Sequence, residues 1–469
     1  MKSGVRKAVE PSNKENFTRN LSGHSEKNLF YETIYFQMSK NKHKTVFIGV
    51  SPKQRVFATG QAGGDKSVVF VGVSGGVDSS VAAALLKDQG YNVVGVFIRT
   101  WTPDFIECTW RDERRDAMRV CAHLGIPFLE CDAEEEYKKG VADYMIEEYK
   151  KGNTPNPDVM CNREVKFGVF WKFAKAHGAD YIATGHYAVN NYQLQITNEK
   201  RKPAGKDNCF SQVLGRGGRE PVPDHSKSNY LFQLSRSPDQ SKDQSYFLWT
   251  LTQEDLSHVL FPIGHLKKTE VRKLAEKYKL PTATKKDSQG VCFLGPLDMK
   301  DFLKHYIESK KGEVLLVPSE PVVSSIEPIE GKEPKVIGYH SGAVFFTLGE
   351  RHGFTITEKS EKDKPYYVVG KDIEKNTITV STSPKNSFLK GPRISFISII
   401  NTNWIINPPI PNKNYQAQIR YHGELLNCRI ICTSPTGAEV TFEKDILVDI
   451  GQSVVVYDGD TCLGGGIVT

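Results

Sequence analysis

The chain has 469 residues and a formal net charge of +7, with 39% hydrophobic and 25% charged residues. This length supports two to three globular domains, and no apolar run is long enough to span a membrane. The mild positive charge suits a polyanionic partner without demanding one, and nine cysteines without a Cys-x-x-Cys pair point away from zinc fingers, thioredoxin-type motifs and a disulfide framework.

Residues 1–67 show no sustained period and read as a disordered extension. From Met38 to Gly64 there is no acid, while Lys40, Lys42, Lys44, Lys53 and Arg55 are basic. Such a segment has the composition of an organellar transit peptide. The expectation is a start at Met1 or at Met38, with mitochondrial import in the second case and a cytoplasmic chain otherwise. Gly60 to Ser67 imitates a phosphate-binding Gly-x-x-x-x-Gly-Lys-Ser string, but Asp65 replaces the second glycine. A carboxylate there repels phosphate.

The apolar run Val69–Val73 leads into Ser74-Gly75-Gly76-Val77-Asp78-Ser79-Ser80. Val77, Val81, Ala84 and Leu85 then recur at helical spacing, which predicts a buried face. A strand, a glycine turn and a helix N-terminus together make an anion site for a pyrophosphate. Asp78 is placed to cap the helix or to hold Mg²⁺. Strands follow over Tyr91–Ile98, Ile126–Cys131 and Asp180–Thr184, and helices over Arg111–Leu124 and Val165–His177. The alternation predicts a doubly wound parallel α/β sheet with its site at the carboxyl ends of the strands. The Ser-Gly-Gly loop, Phe97-Ile98 and Thr184-Gly185-His186 are expected there. Asn190–Ser241 is polar and reads as a surface insertion or frayed hairpin. Helices are expected over Thr252–Leu260 and Lys268–Tyr278. Beyond Glu313 short β-runs predominate, and the last of them suggest a small barrel. Cys428 and Cys432 are expected to face the same way in its core.

Four further strings stand out: Asn156-Pro157-Asp158-Val-Met-Cys161, read as a loop stiffened by prolines; Lys242-Asp243-Gln244; Lys285-Lys-Asp287-Ser-Gln-Gly-Val-Cys292; and Gly451-Gln452. In this order behind the glycine loop, and with Ala183-Thr-Gly-His-Tyr187 and Gly349-Glu-Arg-His-Gly353, they resemble the tRNA-specific 2-thiouridylases of the PP-loop ATP pyrophosphatase superfamily, of the mitochondrial type. The resemblance runs from about Val68 to Thr469. It implies a PP-loop adenylating domain over 68–260 with the insertion at 190–241, a central tRNA-contacting domain over 261–385, and a β-barrel over 386–469.

The same resemblance assigns residues. Gly72, Val73, Ser74, Gly75, Gly76, Val77, Asp78, Ser79, Ile98 and Gly185 would bind ATP with Mg²⁺. Asn156, Pro157 and Asp158 would meet the target uridine. Cys161 would be the nucleophile, Cys292 the persulfide carrier, and Asp158 a general acid or base. His186, Lys242, Asp243, Gln244, Arg420, Tyr421 and Gln452 would contact tRNA. The implied substrate is the wobble uridine of tRNAs for Lys, Glu and Gln. The implied sulfur donor is a cysteine desulfurase or a sulfur-relay protein. Ile98, Gln289 and Glu350 depart from the residues common in the family, and Glu350 adds a negative charge next to RNA.

The chemistry accounts for these residue types. Adenylating the C2 oxygen of uridine creates a leaving group, and a persulfide on Cys292 then supplies sulfur. Cys161 releases it, which leaves a Cys161–Cys292 disulfide for an external reductant. A second scheme remains open, with Asp158, Cys161 and Cys292 holding three irons of an iron–sulfur cluster. Two other functions are also open: a PP-loop amidotransferase or synthetase using ammonia, and a non-catalytic tRNA-binding protein.

Overall fold

The computed structural model describes residues 67–106, 110–194, 230–287, 298–316, 334–357, 364–382 and 395–469. The Met38 segment, most of the 190–241 insertion, and Gln289 and Cys292 lie outside the described residues.

Runs of Val, Ile and Phe without polar alternation build the central strands, buried on both faces, while the outer strand Phe128–Asp132 is half-buried. These strands are β1 (Val68–Gly72), β2 (Asn92–Arg99), β3 (Phe128–Asp132), β4 (Tyr181–Ala183) and, later, Val259–Leu260. They pair in parallel, with β1 between β2 and β4, β3 outside β2, and Val259–Leu260 outside β4. This is the expected α/β doubly wound sheet. Helices α1 (Val77–Asp88) and α2 (Trp110–Leu124) cover one face. Val77, Val81 and Ala84 of α1 are buried as expected. Leu85 is only half-buried, whereas Ala82, Ala83 and Leu86 are buried. The physical reason is that α1 is enclosed between the sheet and the helix Lys268–Lys277, so a one-sided stripe does not describe it.

The helix Lys268–Lys277 also moves a domain boundary. Its Val271 and Ala275 share one core with Val69, Val77 and Val81. The segment just after residue 260 therefore belongs to the nucleotide-binding unit, not to the central domain. A second correction concerns Asn156 to Cys161, which is not a loop. A continuous helix runs through Pro157–Met160, a π-helical stretch Cys161–Val169, and Phe170–Ala176. Pro157 opens it because a proline suits the first helical position, where its missing N–H costs nothing.

Strands β5 (Ala188–Leu194) and β6 (Tyr230–Arg236) form an antiparallel hairpin, so the feet of the polar insertion are ordered. With Val259–Leu260 as β7, the central unit follows as β8 (Gly312–Leu316), β9 (Lys335–His340), β10 (Phe354–Ile356), β11 (Tyr367–Asp372) and β12 (Thr377–Ser381), in one five-stranded sheet. The C-terminal strands are β13 (Phe396–Trp404), β14 (Tyr415–Gln418), β15 (Leu426–Ser434), β16 (Gly437–Phe442), β17 (Ser453–Asp458) and β18 (Thr461–Val468). Pairing of β13 with both β16 and β18 closes them into a barrel, which leaves no free edge within the ring. On β15, Cys428 and Cys432 share a face, the first buried and the second half-buried. The β6 strand also pairs with β18, Thr461 opposite Ser235 and Cys462 opposite Leu234, so the first domain is joined to the barrel's sheet.

Candidate active site

The glycine loop sits between the end of β1 and the start of α1. Gly75 has φ +71°, and a Cβ there would stand 2.5 Å from the Glu113 carbonyl oxygen. A Cβ on Gly185 would stand 2.7 Å from the Ser79 nitrogen, so the β4 end closes directly over the loop. The Ser74 N–H donates to Ser79 Oγ at 3.2 Å, and Ser80 Oγ donates to the Gly76 carbonyl at 2.6 Å. Gly76 caps α1 with no side-chain hydrogen bond, so no protein carboxylate or hydroxyl occupies the helix's first-turn cap position. That arrangement fits a phosphate group at the N-terminus of α1. It also corrects the reading of Asp78 as a helix cap.

Asp78 instead accepts from Lys268 Nζ at 2.8 and 2.9 Å and from Tyr187 Oη at 2.9 Å. Burial and then the Asp78 carboxylate push the Tyr187 phenol well up. Lys268 reaches Asp287 as well, at 2.9 Å. Asp287 further accepts from Lys242 at 2.8 Å and Arg272 at 2.6 Å. Burial opposes the charge on Asp287, but hydrogen bonds from Lys242 and Lys268 outweigh it and hold the carboxyl below the usual range. Lys285 pairs with Asp116 at 2.8 Å, next to the Gly75 turn. The string that leads to Cys292 is thus anchored on the nucleotide loop, and Lys242 of the second string ties into the same network. Lys268 was not singled out from the sequence. The available signal was a lysine at the first position of a helix, where the macrodipole disfavours positive charge.

The helix bearing Cys161 crosses the same end of the sheet. Its Phe170 ring lies where a Cβ on Gly72 would be 3.5 Å away. Asn156 Oδ1 accepts from the Val159 N–H at 3.2 Å and caps the helix start, so Asp158 and Cys161 fall one turn apart. Asn162 Nδ2 donates to the Asp158 carbonyl at 3.0 Å and the Phe247 carbonyl at 3.4 Å. Cys161 is wholly buried and packs in one core with Ile98 and Phe170.

All three domains meet just before this turn. Thr154 N–H donates to the Ile450 carbonyl at 2.7 Å, and its hydroxyl to Asp449 Oδ2 at 2.7 Å. Lys371 of the central domain pairs with the same Asp449 oxygen at 2.8 Å, and the two side chains are only 8% and 5% exposed. Gln452 Nε2 donates to the Thr154 carbonyl at 2.8 Å. Gln452 was expected to touch tRNA, but here its amide donates to the turn ahead of Cys161. Lys371, Asp449 and Thr154 carried no motif that would have revealed them.

The other expected RNA contacts divide into two groups. Lys242 is partly exposed, and Arg420 and Tyr421 sit at the barrel mouth, Arg420 exposed and beside Gly349. Burial, then the Asp243 and Asp158 carboxylates, push the Tyr421 phenol up to about 12. Its ring packs on Phe247, whose carbonyl accepts from Asn162 of the Cys161 helix. His186 and Asp243 are buried, each 6% exposed. His186 shares a 2.7 Å hydrogen bond with Thr184 and packs on Phe167 and Phe261. Burial, then Lys166, keeps its ring neutral. Asp243 accepts from Arg236, Ser237 and Ser245. The Asp243 carboxylate and His186 Nδ1 thus have protein partners. Gln244 likewise exchanges hydrogen bonds with the Tyr187 backbone at 2.8 and 2.9 Å. Glu350 is paired with Lys300 at 2.6 Å and is 16% exposed, so its charge is balanced internally.

No disulfide joins the described cysteines, and among the described residues no three or more His, Cys, Asp or Glu are disposed to hold a metal ion. No described helix is long and apolar enough to cross a membrane.

A nucleotide loop, a cysteine-bearing helix across it and a basic, aromatic barrel mouth define an ATP-using enzyme with a large polyanionic substrate. Three family models match in register with these domains: "tRNA methyl transferase HUP domain" over 67–296, "tRNA methyl transferase PRC-barrel domain" over 300–382, and "Aminomethyltransferase beta-barrel domain" over 395–468. The tRNA-specific 2-thiouridylase MnmA of Bacillus subtilis (strain 168) is 38% identical over 405 residues, covering 85% of this chain and 94% of that protein. The namesake from Christiangramia forsetii is 38% identical over 428 residues, covering 86% and 99%. Among solved structures, the U34-tRNA thiolase NcsA from Methanococcus maripaludis aligns at 16% identity with a TM-score of 0.28, over 48% of this chain and 60% of that one, a likeness too slight to weigh. The chain belongs to the tRNA-specific 2-thiouridylase family.

Proposed function

We infer that this protein is an ATP-dependent tRNA-uridine 2-sulfurtransferase. The observation that carries this reading is the convergence of three sequence strings on one sheet end. The glycine loop, the Asp158–Cys161 turn and the anchored Lys285–Asp287 lead all gather there.

The chain's own residues supply the following steps. The α1 N-terminus and the Ser74–Ser79 loop hold the phosphates of ATP, and Mg²⁺ with ATP supplies further charge neutralisation at the pyrophosphate. Lys268 donates to both Asp78 oxygens, which sets its ammonium against the loop's acid. The uridine C2 oxygen attacks the α-phosphorus, the α–β bond breaks, and pyrophosphate leaves. The terminal sulfur of a Cys292 persulfide then attacks C2 and expels AMP. The Cys161 thiolate attacks the Cys292 sulfur, which forms a Cys161–Cys292 disulfide and frees the thiocarbonyl. A thiol reductant reopens that disulfide, and a cysteine desulfurase or relay protein reloads the persulfide. Asp158, one turn from Cys161, handles the proton on the uridine.

The substrate is the wobble uridine of tRNAs for Lys, Glu and Gln. The acid-poor, basic stretch from Met38 to Gly64 supports import into mitochondria. Sequencing the N-terminus of the native protein tests import, and a mature start at Met1 overturns it. The main test incubates protein, ATP, Mg²⁺, a persulfide source and unmodified tRNA. The expected product is thiolated uridine by mass spectrometry, with AMP and pyrophosphate. A methylated base instead, or ammonia-dependent product that survives thiol blocking, overturns the reading.

A further inference from the structure

The mouth of the barrel carries an aromatic column that the reaction above does not use. Phe247 and Tyr421 have ring centroids 4.2 Å apart, and His422 stacks on Tyr421 at 3.9 Å with the planes 24° apart. The Gly423 N–H closes the turn onto the Arg420 carbonyl at 2.9 Å. His422 takes φ +57° in this turn, a left-handed conformation that histidine visits more readily than most residues. One end of the column reaches the Cys161 helix, since the Phe247 carbonyl accepts from Asn162. The other end is the exposed ring of His422.

That ring borders a cavity of about 410 Å³ lined by Arg236, Gln240, Asp243, Gln418, His422 and Leu425, among others. The volume falls within the range of about 300 to 1,000 Å³ common for small-molecule sites. The lining suits a heterocycle: a stacking ring, an apolar side chain, and two amides able to donate and accept at its edge. It suits a free phosphate poorly, because Arg236 is already paired with Asp243 at 3.1 Å. Through Tyr421 and Phe247 the stacked rings lead from this cavity to Asn162 on the helix that bears Asp158 and Cys161.

We propose that this cavity receives the base of a nucleotide flanking the target uridine, stacked on His422. The flanking base then fixes the register of the RNA, so that the target base alone enters the Asp158–Cys161 site. This rests on the RNA-thiolating reading. Failure of wild-type protein to thiolate intact tRNA removes that reading and the proposal with it, and is seen before any variant is made.

The test uses full-length protein and ligated tRNAs carrying an abasic ribose immediately 5′ or 3′ of the target uridine. Stacking of one base predicts weaker binding, about 5- to 150-fold, for one of the two abasic tRNAs. His422→Asn removes the ring but suits the left-handed backbone. It should weaken intact tRNA by a similar factor and leave the abasic tRNA no worse than with wild type. His422→Phe should recover part of the loss. The proposal is overturned if His422→Asn binds intact tRNA like wild type, if its penalty multiplies with the abasic one, or if free uridine monophosphate occupies the cavity while neither abasic tRNA is impaired.

Discussion

The nucleotide loop and the Cys161 turn lie at the same end of one sheet but are held in different ways. Ser74, Gly76, Ser79 and Ser80 bond to one another within a few residues. The Cys161 turn depends on partners from far along the chain: Asp449, Ile450 and Gln452 from the barrel, and, through Asp449, Lys371 from the central domain. ATP binding is thus a local property of the first domain, whereas sulfur transfer requires the whole chain.

The sharpest way to separate the two regions is Cys161→Ser. It should lower thiolated product by about 10⁴-fold or more, the scale seen when a nucleophile is removed, while ATP binding measured by calorimetry stays within twofold. Loss of ATP binding in this variant would show that the two regions are one unit. Next comes Asp449→Ala. Removing one partner of a buried pair leaves Lys371 uncompensated and should cost about 3–5 kcal/mol in chemical denaturation. The double variant Asp449→Leu with Lys371→Met should recover most of that stability but not the thiolation rate. Recovery of both would show that the junction does not position Cys161. Gly75→Ala attacks the other region. Its left-handed backbone and the nearby Glu113 carbonyl predict about 1–3 kcal/mol of strain, read as roughly 5- to 150-fold weaker ATP binding, with the thiolation rate at saturating ATP nearly kept.

The smallest effect is a pH dependence. His186 is held neutral by burial, and burial takes His340 down to about 4. Both have folded values below the unfolded value of about 6.5. The unfolded chain therefore binds more protons under acid, and stability should fall as pH drops from 6.5 toward 4. Denaturant midpoints that stay flat over this window, or rise, would contradict the burial of these two rings.

This contrast also explains what the sequence could reveal. The strand–glycine–helix string was legible because its bonds are short in sequence and its glycines have a steric cause. The parallel sheet was legible from the unbroken apolar runs of β1 and β2. Asp158 and Cys161 were legible as a pair, but their loop proved to be a helix, since Asn156 caps its start and Pro157 stands at the first helical position, where a proline is tolerated. The burial of His186 and Asp243 was not legible, because a string shows residue type and not burial. Lys371 and Asp449 left no trace, because their meeting depends on how three domains dock.

The pairing of β6 with β18 has a consequence for synthesis. Residues 461–462 are made long after residue 188, yet they finish a sheet begun there. A polypeptide released prematurely, before Asp449, retains the parts that grip ATP and lacks those that brace the thiol-bearing turn. Bracing of that turn therefore waits until the barrel segment that carries Asp449 and Gln452 has been made.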